Sequence, residues 1–196
     1  MIIILEGIPT SGKTDVIKVL GEKFKSRGVS CEVFDESKRI SPETYTHPDP
    51  KNSIAQLTAF LKKECSSDKK VTICCRFHLY HLNITNGSPA DLVEIEKVIR
   101  EYNPMLVLLQ VPEDIIKQRL LYSKALHETK WQEELKRRGQ SEDNAVEWYK
   151  MYQYKLLALY HDSTLPKIMY HTESLNFDEV ADDIYEQAIN VYGVKP

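Results

Sequence analysis

Eight consecutive residues hold the densest chemistry in the chain. Gly7-Ile8-Pro9-Thr10-Ser11-Gly12-Lys13-Thr14 satisfies the pattern G-x-x-x-x-G-K-[ST] at every required position. Glycines let a backbone curl so that its N–H groups surround phosphate oxygens. A helix opening at the same point adds the partial positive charge of its N-terminus. Lys13 is expected to reach the β- and γ-phosphates, and the Thr14 hydroxyl to bind Mg²⁺. The segment Gly7, Ile8, Pro9, Thr10, Ser11, Gly12, Lys13 and Thr14 is therefore the expected site for ATP with Mg²⁺. Pro9 lacks an N–H and removes one donor from the cradle. The chain has only 7 glycines in 196 residues, about half of ordinary usage. Two of them start and end the variable part of this loop.

Further charged residues follow the ends of apolar runs. Arg76 comes directly after Val71 to Cys75, where an open α/β sheet presents its ligand crevice. Its planar fork suits bidentate contact with a phosphate. Asp35 and Glu36 end another run. A carboxylate there can orient an attacking oxygen or hold a metal-bound water, and Glu36 is the catalytic candidate. Lys38 and Arg39 follow, and either bind an acceptor phosphate or are simply solvated. From about Ser123 to Gln140 the chain is rich in charge and reads as a solvated lid. A lid that closes over a transferring phosphoryl group can bring in an Arg and expel water. Lys136, Arg137 and Arg138 lie in it, with Arg137 and Arg138 equal candidates for that task. His78 and His81 have no evident third ligand, so a metal site on them is not expected.

These residues need a scaffold, and the apolar pattern supplies one. Strands are expected at Ile2 to Leu5, Val29 to Phe34, Val71 to Cys75, Met105 to Val111 and Lys167 to His171. The runs are short and mostly continuous, as for strands buried on both faces of a parallel sheet. Helical spacing separates them. Ile17, Leu20 and Phe24 share one face, and Ile54, Leu57 and Leu61 another, with Phe60 able to stack on a base or to join the core. Ser88 can cap a helix that starts with Pro89 and buries Leu92, Ile95 and Ile99. Ile115, Ile116 and Leu120 pack on a further helix from which Arg119 faces out. Phe177, Val180, Ala181, Ile184, Ala188 and Val191 form the last stripe. The helix with Trp148, Tyr149, Tyr152, Tyr154 and Tyr160 reads as packed and half exposed. Alternation of strand and helix implies α/β with right-handed crossovers. The expected architecture is a single domain over 1–196, a P-loop NTPase with three α/β/α layers, a five-stranded parallel sheet and a helical lid.

In order and spacing the chain resembles the thymidylate kinase and deoxynucleoside kinase group over nearly its whole length. The resemblance rests on Leu5-Glu6-Gly7 close to the N-terminus, Cys75-Arg76-Phe77 after the third strand, and a basic lid after the fourth. It implies that Arg76 holds the acceptor phosphate, that Phe77 packs nearby, and that Arg119 contacts the phosphate donor or its adenine. It also implies a homodimer through helices flanking the sheet. Two departures are visible. Cys75 replaces the acid that assists Mg²⁺ and substrate, and Lys62-Lys63-Glu64 stand where thymidylate kinases carry a base-recognising Arg.

Composition sets the outer bounds. There are 26 Lys and Arg against 29 Asp and Glu, a formal charge of -3. This balance argues against a nucleic-acid coat or a polybasic membrane binder. No apolar run approaches the roughly 18 residues of a membrane span. Cys31, Cys65, Cys74 and Cys75 fit no zinc spacing, and the adjacent pair points to opposite sides of a strand. A reducing, cytoplasmic setting is expected. The functional expectation is a nucleoside monophosphate kinase that moves the ATP γ-phosphate to a small nucleotide, with Lys13, Glu36, Arg76, Arg137 and Arg138 in catalytic roles. The alternatives are a deoxynucleoside kinase and an ATP-binding regulatory protein that has lost transfer.

Overall fold

The computed structural model describes residues 1–35, 48–65, 70–126, 129, 132–133, 141–174 and 176–194. Five strands, β1 (Ile2–Glu6), β2 (Ser30–Phe34), β3 (Lys70–Cys75), β4 (Pro104–Gln110) and β5 (Lys167–His171), form one parallel sheet in the order β2-β3-β1-β4-β5. The helices are α1 (Lys13–Ser26), α2 (Pro50–Glu64), α3 (His78–Thr85), α4 (Pro89–Ile99), α5 (Glu113–Leu126), α6 (Glu142–Asp162) and α7 (Phe177–Asn190). The chain is a three-layer α/β/α P-loop fold.

Strand alternation builds the layers. Successive side chains of β1 point to opposite faces. Ile2 and Ile4 join Cys74, Leu106 and Leu108 under α2, α3, α4 and α6. Ile3 and Leu5 join Val71, Ile73, Val107 and Leu109 under α1 and α7. A third cluster holds Ile8 of the phosphate loop among Tyr80, Val111, Ile116, Leu120, Tyr149 and Tyr152. The loop is therefore plugged into the core at its second residue.

The central strands meet the expectation of burial on both faces; the edges do not. All five residues of β1 are buried, whereas β2 and β5 have no fully buried residue. An edge strand lacks a neighbour on one side, and its side chains meet less of the flanking helices. Val191 also departs from its stripe. It lies beyond the end of α7 and is 72% exposed, while Ala181, Ile184 and Ala188 are buried. Phe60 joins the core, edge-on to Phe34 and near Phe77. The Ser88 cap forms as a full capping box with Asp91. None of the four cysteines is in a disulfide. Among the described residues no helix is long and apolar enough to cross a membrane.

Candidate functional site

β1 runs straight into the phosphate loop, and the loop straight into α1. Gly7 has φ +148° and Gly12 φ +90°, the region where L side chains are strained. A Cβ on Gly7 would lie 2.6 Å from the Leu109 carbonyl oxygen, and one on Gly12 would lie 2.0 Å from the Phe177 ring. Both glycines are thus required by close approach as well as by backbone shape. Gly12 is the N-cap of α1 and offers no side-chain acceptor to the first amides of that helix. The starts of α2 and α4 are closed by carboxylates or hydroxyls. Asp49 accepts from the first turn of α2, and Ser88 and Asp91 close α4.

Lys13 is buried inside the loop turn. Its Nζ donates to the carbonyls of Gly7 at 2.8 Å and Ile8 at 2.7 Å, and to Ser11 Oγ at 3.2 Å. Thr14 is exposed on the next residue. Together with Pro9, Thr10 and Gly12 they line one end of a cleft of about 800 Å³, a size that takes a nucleotide and a small partner. Asp35, Cys75 and Arg76 line it from the carboxyl ends of β2 and β3. Arg119, Tyr122, Ser123, Phe177 and Asp178 complete it from α5 and α7. Lys13, Arg76 and Arg119, far apart in sequence, therefore share one space with the phosphate loop.

Arg76 is placed by an unusual backbone. Its φ is +55°, and its N–H donates to the Leu5 carbonyl at 2.9 Å. The guanidinium carbon stands 5.6 Å from the centre of the Tyr80 ring, within cation–π range. Directly after it, Glu6 anchors α3. The Glu6 carboxylate is fully buried and accepts from the amides of Phe77 (2.9 Å), Leu79 (3.1 Å) and Tyr80 (3.3 Å). A carboxylate at a helix N-terminus satisfies otherwise unpaired amides and the helix dipole together. Phe77 is fully buried.

The far side of α3 is tied by a buried pair. His78 Nε2 lies 3.5 Å from Glu96 Oε1, with both side chains almost fully buried. Glu96 Oε2 accepts from the amide and the hydroxyl of Thr164, each at 2.9 Å. Burial pushes the Glu96 carboxyl up, but His78, Ser163 and Thr164 outweigh it and hold the group down at about 2. A carboxylate depressed below its unfolded value of 4.5 stabilises the fold above that value, and this contribution is lost as pH falls toward 2. Denaturant midpoints measured from pH 6 to pH 2.5 should fall in the wild type. Glu96→Gln should be less stable at pH 6 by about 3 kcal/mol, as when one partner of a buried pair is removed, and its midpoint should vary less over that range.

Arg119 differs from its expected outward position. It is only 8% exposed. Nη1 donates to the Thr10 carbonyl at 3.3 Å and Nη2 to the Thr172 carbonyl, and burial lowers its pKa. The reason is the length of the side chain: it reaches from α5 under the phosphate loop while the guanidinium edge still lines the cleft. Glu36, Lys38, Arg39, Lys136, Arg137 and Arg138 lie outside the described residues. The start of the expected lid, Ser123 to Leu126, is the last turn of α5.

Several features at and beside the cleft are not assigned from sequence, Asp15 and Val19 of α1 among them. Phe177 was read only as the first residue of a core stripe, yet its ring covers Gly12. Tyr122 and Asp178 had no spacing signal. Glu6 carried a signal, a lone carboxylate within an Ile/Leu strand. Among the described residues no group of three or more His, Cys, Asp or Glu is placed to hold a metal. The hard oxygen donors in the cleft that fit Mg²⁺ include the Thr14 hydroxyl and the carboxylates of Asp15, Asp35 and Asp178. The Cys75 sulfur does not suit that ion.

Comparisons with known proteins agree with the fold. YorR protein from Bacillus subtilis, solved in complex with phosphorylated GDP, is similar with TM-score 0.69 and 20% identity, covering 98% of each chain. APE1195 is similar with TM-score 0.57 and 16% identity, covering 97% of this chain and 96% of that one. Shikimate kinase from Acinetobacter baumannii, solved with shikimate, gives TM-score 0.54 and 15% identity over 97% and 93%. A comparison with curated proteins returned no match. A family profile described as chromatin associated protein KTI12 matches residues 1–191.

Proposed function

The chain belongs to the KTI12 family of chromatin associated proteins, and from the geometry of its cleft we propose that it is an ATP- and Mg²⁺-dependent phosphotransferase acting on a small phosphorylated nucleotide. One observation carries this reading. A single cleft joins the phosphate loop, with its open α1 N-terminus and Lys13, to Arg76 and Asp35 at the ends of neighbouring strands. The first set suits a triphosphate and the second a phosphorylated acceptor.

Lys13 would exchange its loop oxygens for the β- and γ-phosphate oxygens and balance charge during transfer. Thr14 would hold Mg²⁺, with Asp35 as the oxygen donor across the cleft. The chemistry that the ion would supply there is neutralisation of phosphate charge. Arg76 would hold the acceptor phosphate by its fork. Its left-handed backbone is a cost of the kind that collects at functional sites. Glu36 would orient the attacking oxygen, and Arg137 or Arg138 would close over the γ-phosphate from the lid. The stretch of the cleft lined by Tyr122, Ser123 and Phe177 would take the donor base.

A second reading is favoured by one residue. Cys75 ends β3 in the cleft, where the resembling kinases carry an acid, and the family description names no reaction. In that reading the chain binds ATP and acts as a regulator. A panel of nucleosides and nucleoside monophosphates with ATP and Mg²⁺ separates the possibilities. Transfer to a monophosphate is the expected result. Transfer to nucleosides alone would remove Arg76 from its role and favour a nucleoside kinase. ATP binding without transfer to any acceptor, together with a large gain on Cys75→Asp, would establish the regulatory reading.

A further inference from the structure

Thr10 is the strained residue of the phosphate loop. Its φ is +73°, a left-handed conformation that is a true outlier for a β-branched side chain. Its own hydroxyl does not hold it there, because Oγ1 is buried without a hydrogen-bond partner among the described residues. Two contacts act on Thr10: the Ser11 amide donates to the Ile8 carbonyl at 3.2 Å and closes the turn that contains it, and Arg119 Nη1 donates to the Thr10 carbonyl at 3.3 Å. Arg119 is itself fixed. Its neighbours Ile116 and Leu120 are buried in the third core cluster, and its Nη2 donates to the Thr172 carbonyl. Thr172 is tied in turn to Gln110 at the end of β4, through its amide at 2.9 Å and its hydroxyl at 3.1 Å. An unbroken chain of contacts thus runs from the sheet to the strained loop residue.

We propose that Arg119 is a positioning residue that holds Thr10 in its left-handed conformation and so keeps the phosphate loop in the shape that receives phosphate. This rests on the nucleotide-binding reading above and differs from a direct contact with the donor. Without Arg119, Thr10 leaves the strained region in the free protein and must be forced back when phosphate binds. Glycine at position 10 has no such penalty, so it should erase the need for the guanidinium.

A double-mutant cycle tests this. ATP·Mg²⁺ affinity is measured by calorimetry for the wild type, Arg119→Gln, Thr10→Gly and the double variant. Arg119→Gln should weaken binding about 10-fold beside Thr10, the size of a strain penalty of this kind, and no more than about 2-fold in the Thr10→Gly background. Thr10→Val keeps the β-branch and loses the hydroxyl, so beside it the loss should stay near its full size. Equal losses in the Thr10 and Thr10→Gly backgrounds would overturn the proposal and make Arg119 a direct nucleotide contact. Arg119→Lys, which keeps charge and stem, enters the same cycle should Arg119→Gln not fold.

Unfolding of the free proteins gives an independent reading. Thr10→Gly relieves strain only where Arg119 enforces it. Its effect on Tm should be more favourable beside Arg119 than in the Arg119→Gln background, by about 3 °C for a chain of this size. Simple additivity would overturn the proposal. A wild type that binds no ATP would sink the nucleotide-binding reading, and this unfolding cycle would still decide the role of Arg119.

Discussion

Lys13→Ala should lower ATP-dependent phosphoryl transfer by on the order of 10³-fold, the loss seen when one preorganised cationic or hydrogen-bonding group is removed from a dry site. Three oxygens hold the Nζ inside the loop turn, and all three come from the loop itself. The ammonium is therefore kept at the loop in the free protein, and the phosphate oxygens take the place of these partners when they arrive. Lys13→Arg should not restore the rate. A guanidinium is wider than an ammonium and cannot satisfy the Gly7 and Ile8 carbonyls from the same buried position. The checks are the rate of transfer from γ-labelled ATP and an unchanged circular dichroism spectrum. A variant with wild-type turnover would remove the loop from the chemistry.

Gly12→Ala should be the most damaging small change in the protein. It would combine a strained φ of +90° with a Cβ 2.0 Å from the Phe177 ring. Backbone strain at such a position costs about 1–2 kcal/mol, and displacing a packed ring adds about 1–3 kcal/mol. A loss of about 3 kcal/mol in unfolding free energy follows. ATP affinity should fall with it, because Phe177 lines the cleft and the α1 N-terminus begins at this residue. Phe177→Ala combined with Gly12→Ala should return part of the stability, since the clash is gone, but not the part due to φ. If Gly12→Ala alone unfolds at the wild-type denaturant concentration, the close packing of α7 on the loop is not as described.

The parts of the fold that were legible in the sequence are those set by local pattern. Continuous apolar runs at Ile2, Val71 and Met105 marked the central strands to within a residue or so of their ends. Ser88-Pro89 marked a helix start because capping is a short-range interaction. The phosphate loop was legible for the same reason: its residue types are dictated by backbone shape at adjacent positions. Features that depend on distant segments were not legible. Nothing near Arg119 in sequence shows that its guanidinium reaches the carbonyls of Thr10 and Thr172, so it was expected to face out. Phe177 shows helical spacing whether its ring covers a sheet residue or a loop glycine. The exposure of β2 and β5 follows from their places at the sheet edges, which an apolar run does not encode. The strain at Thr10 and Arg76 is equally invisible, because no residue preference predicts a left-handed Thr or Arg.

The three-layer P-loop fold is the one that the resemblance to thymidylate kinases implies, and Lys13, Arg76 and Arg119 line one cleft within it. The family to which the chain belongs carries a different description, and Cys75 is the residue at which the two diverge most plainly in chemistry. Its side chain stands in the cleft between Asp35 and Arg76 in the order of the strand ends. An oxygen donor for Mg²⁺ must then come from Thr14, from one of the cleft carboxylates Asp15, Asp35 and Asp178, or from the bound phosphates.

The central claim is that this cleft recognises a nucleotide by its phosphate chain at the Gly7 to Thr14 loop. The most direct test is an equilibrium titration of the wild-type protein with ATP, ADP and AMP in the presence of Mg²⁺. The account predicts one site per chain and affinity that falls in the order ATP, ADP, AMP, because the loop, the α1 N-terminus and Lys13 all act on the β- and γ-phosphates. AMP bound as tightly as ATP, or no ATP bound at all, would contradict it.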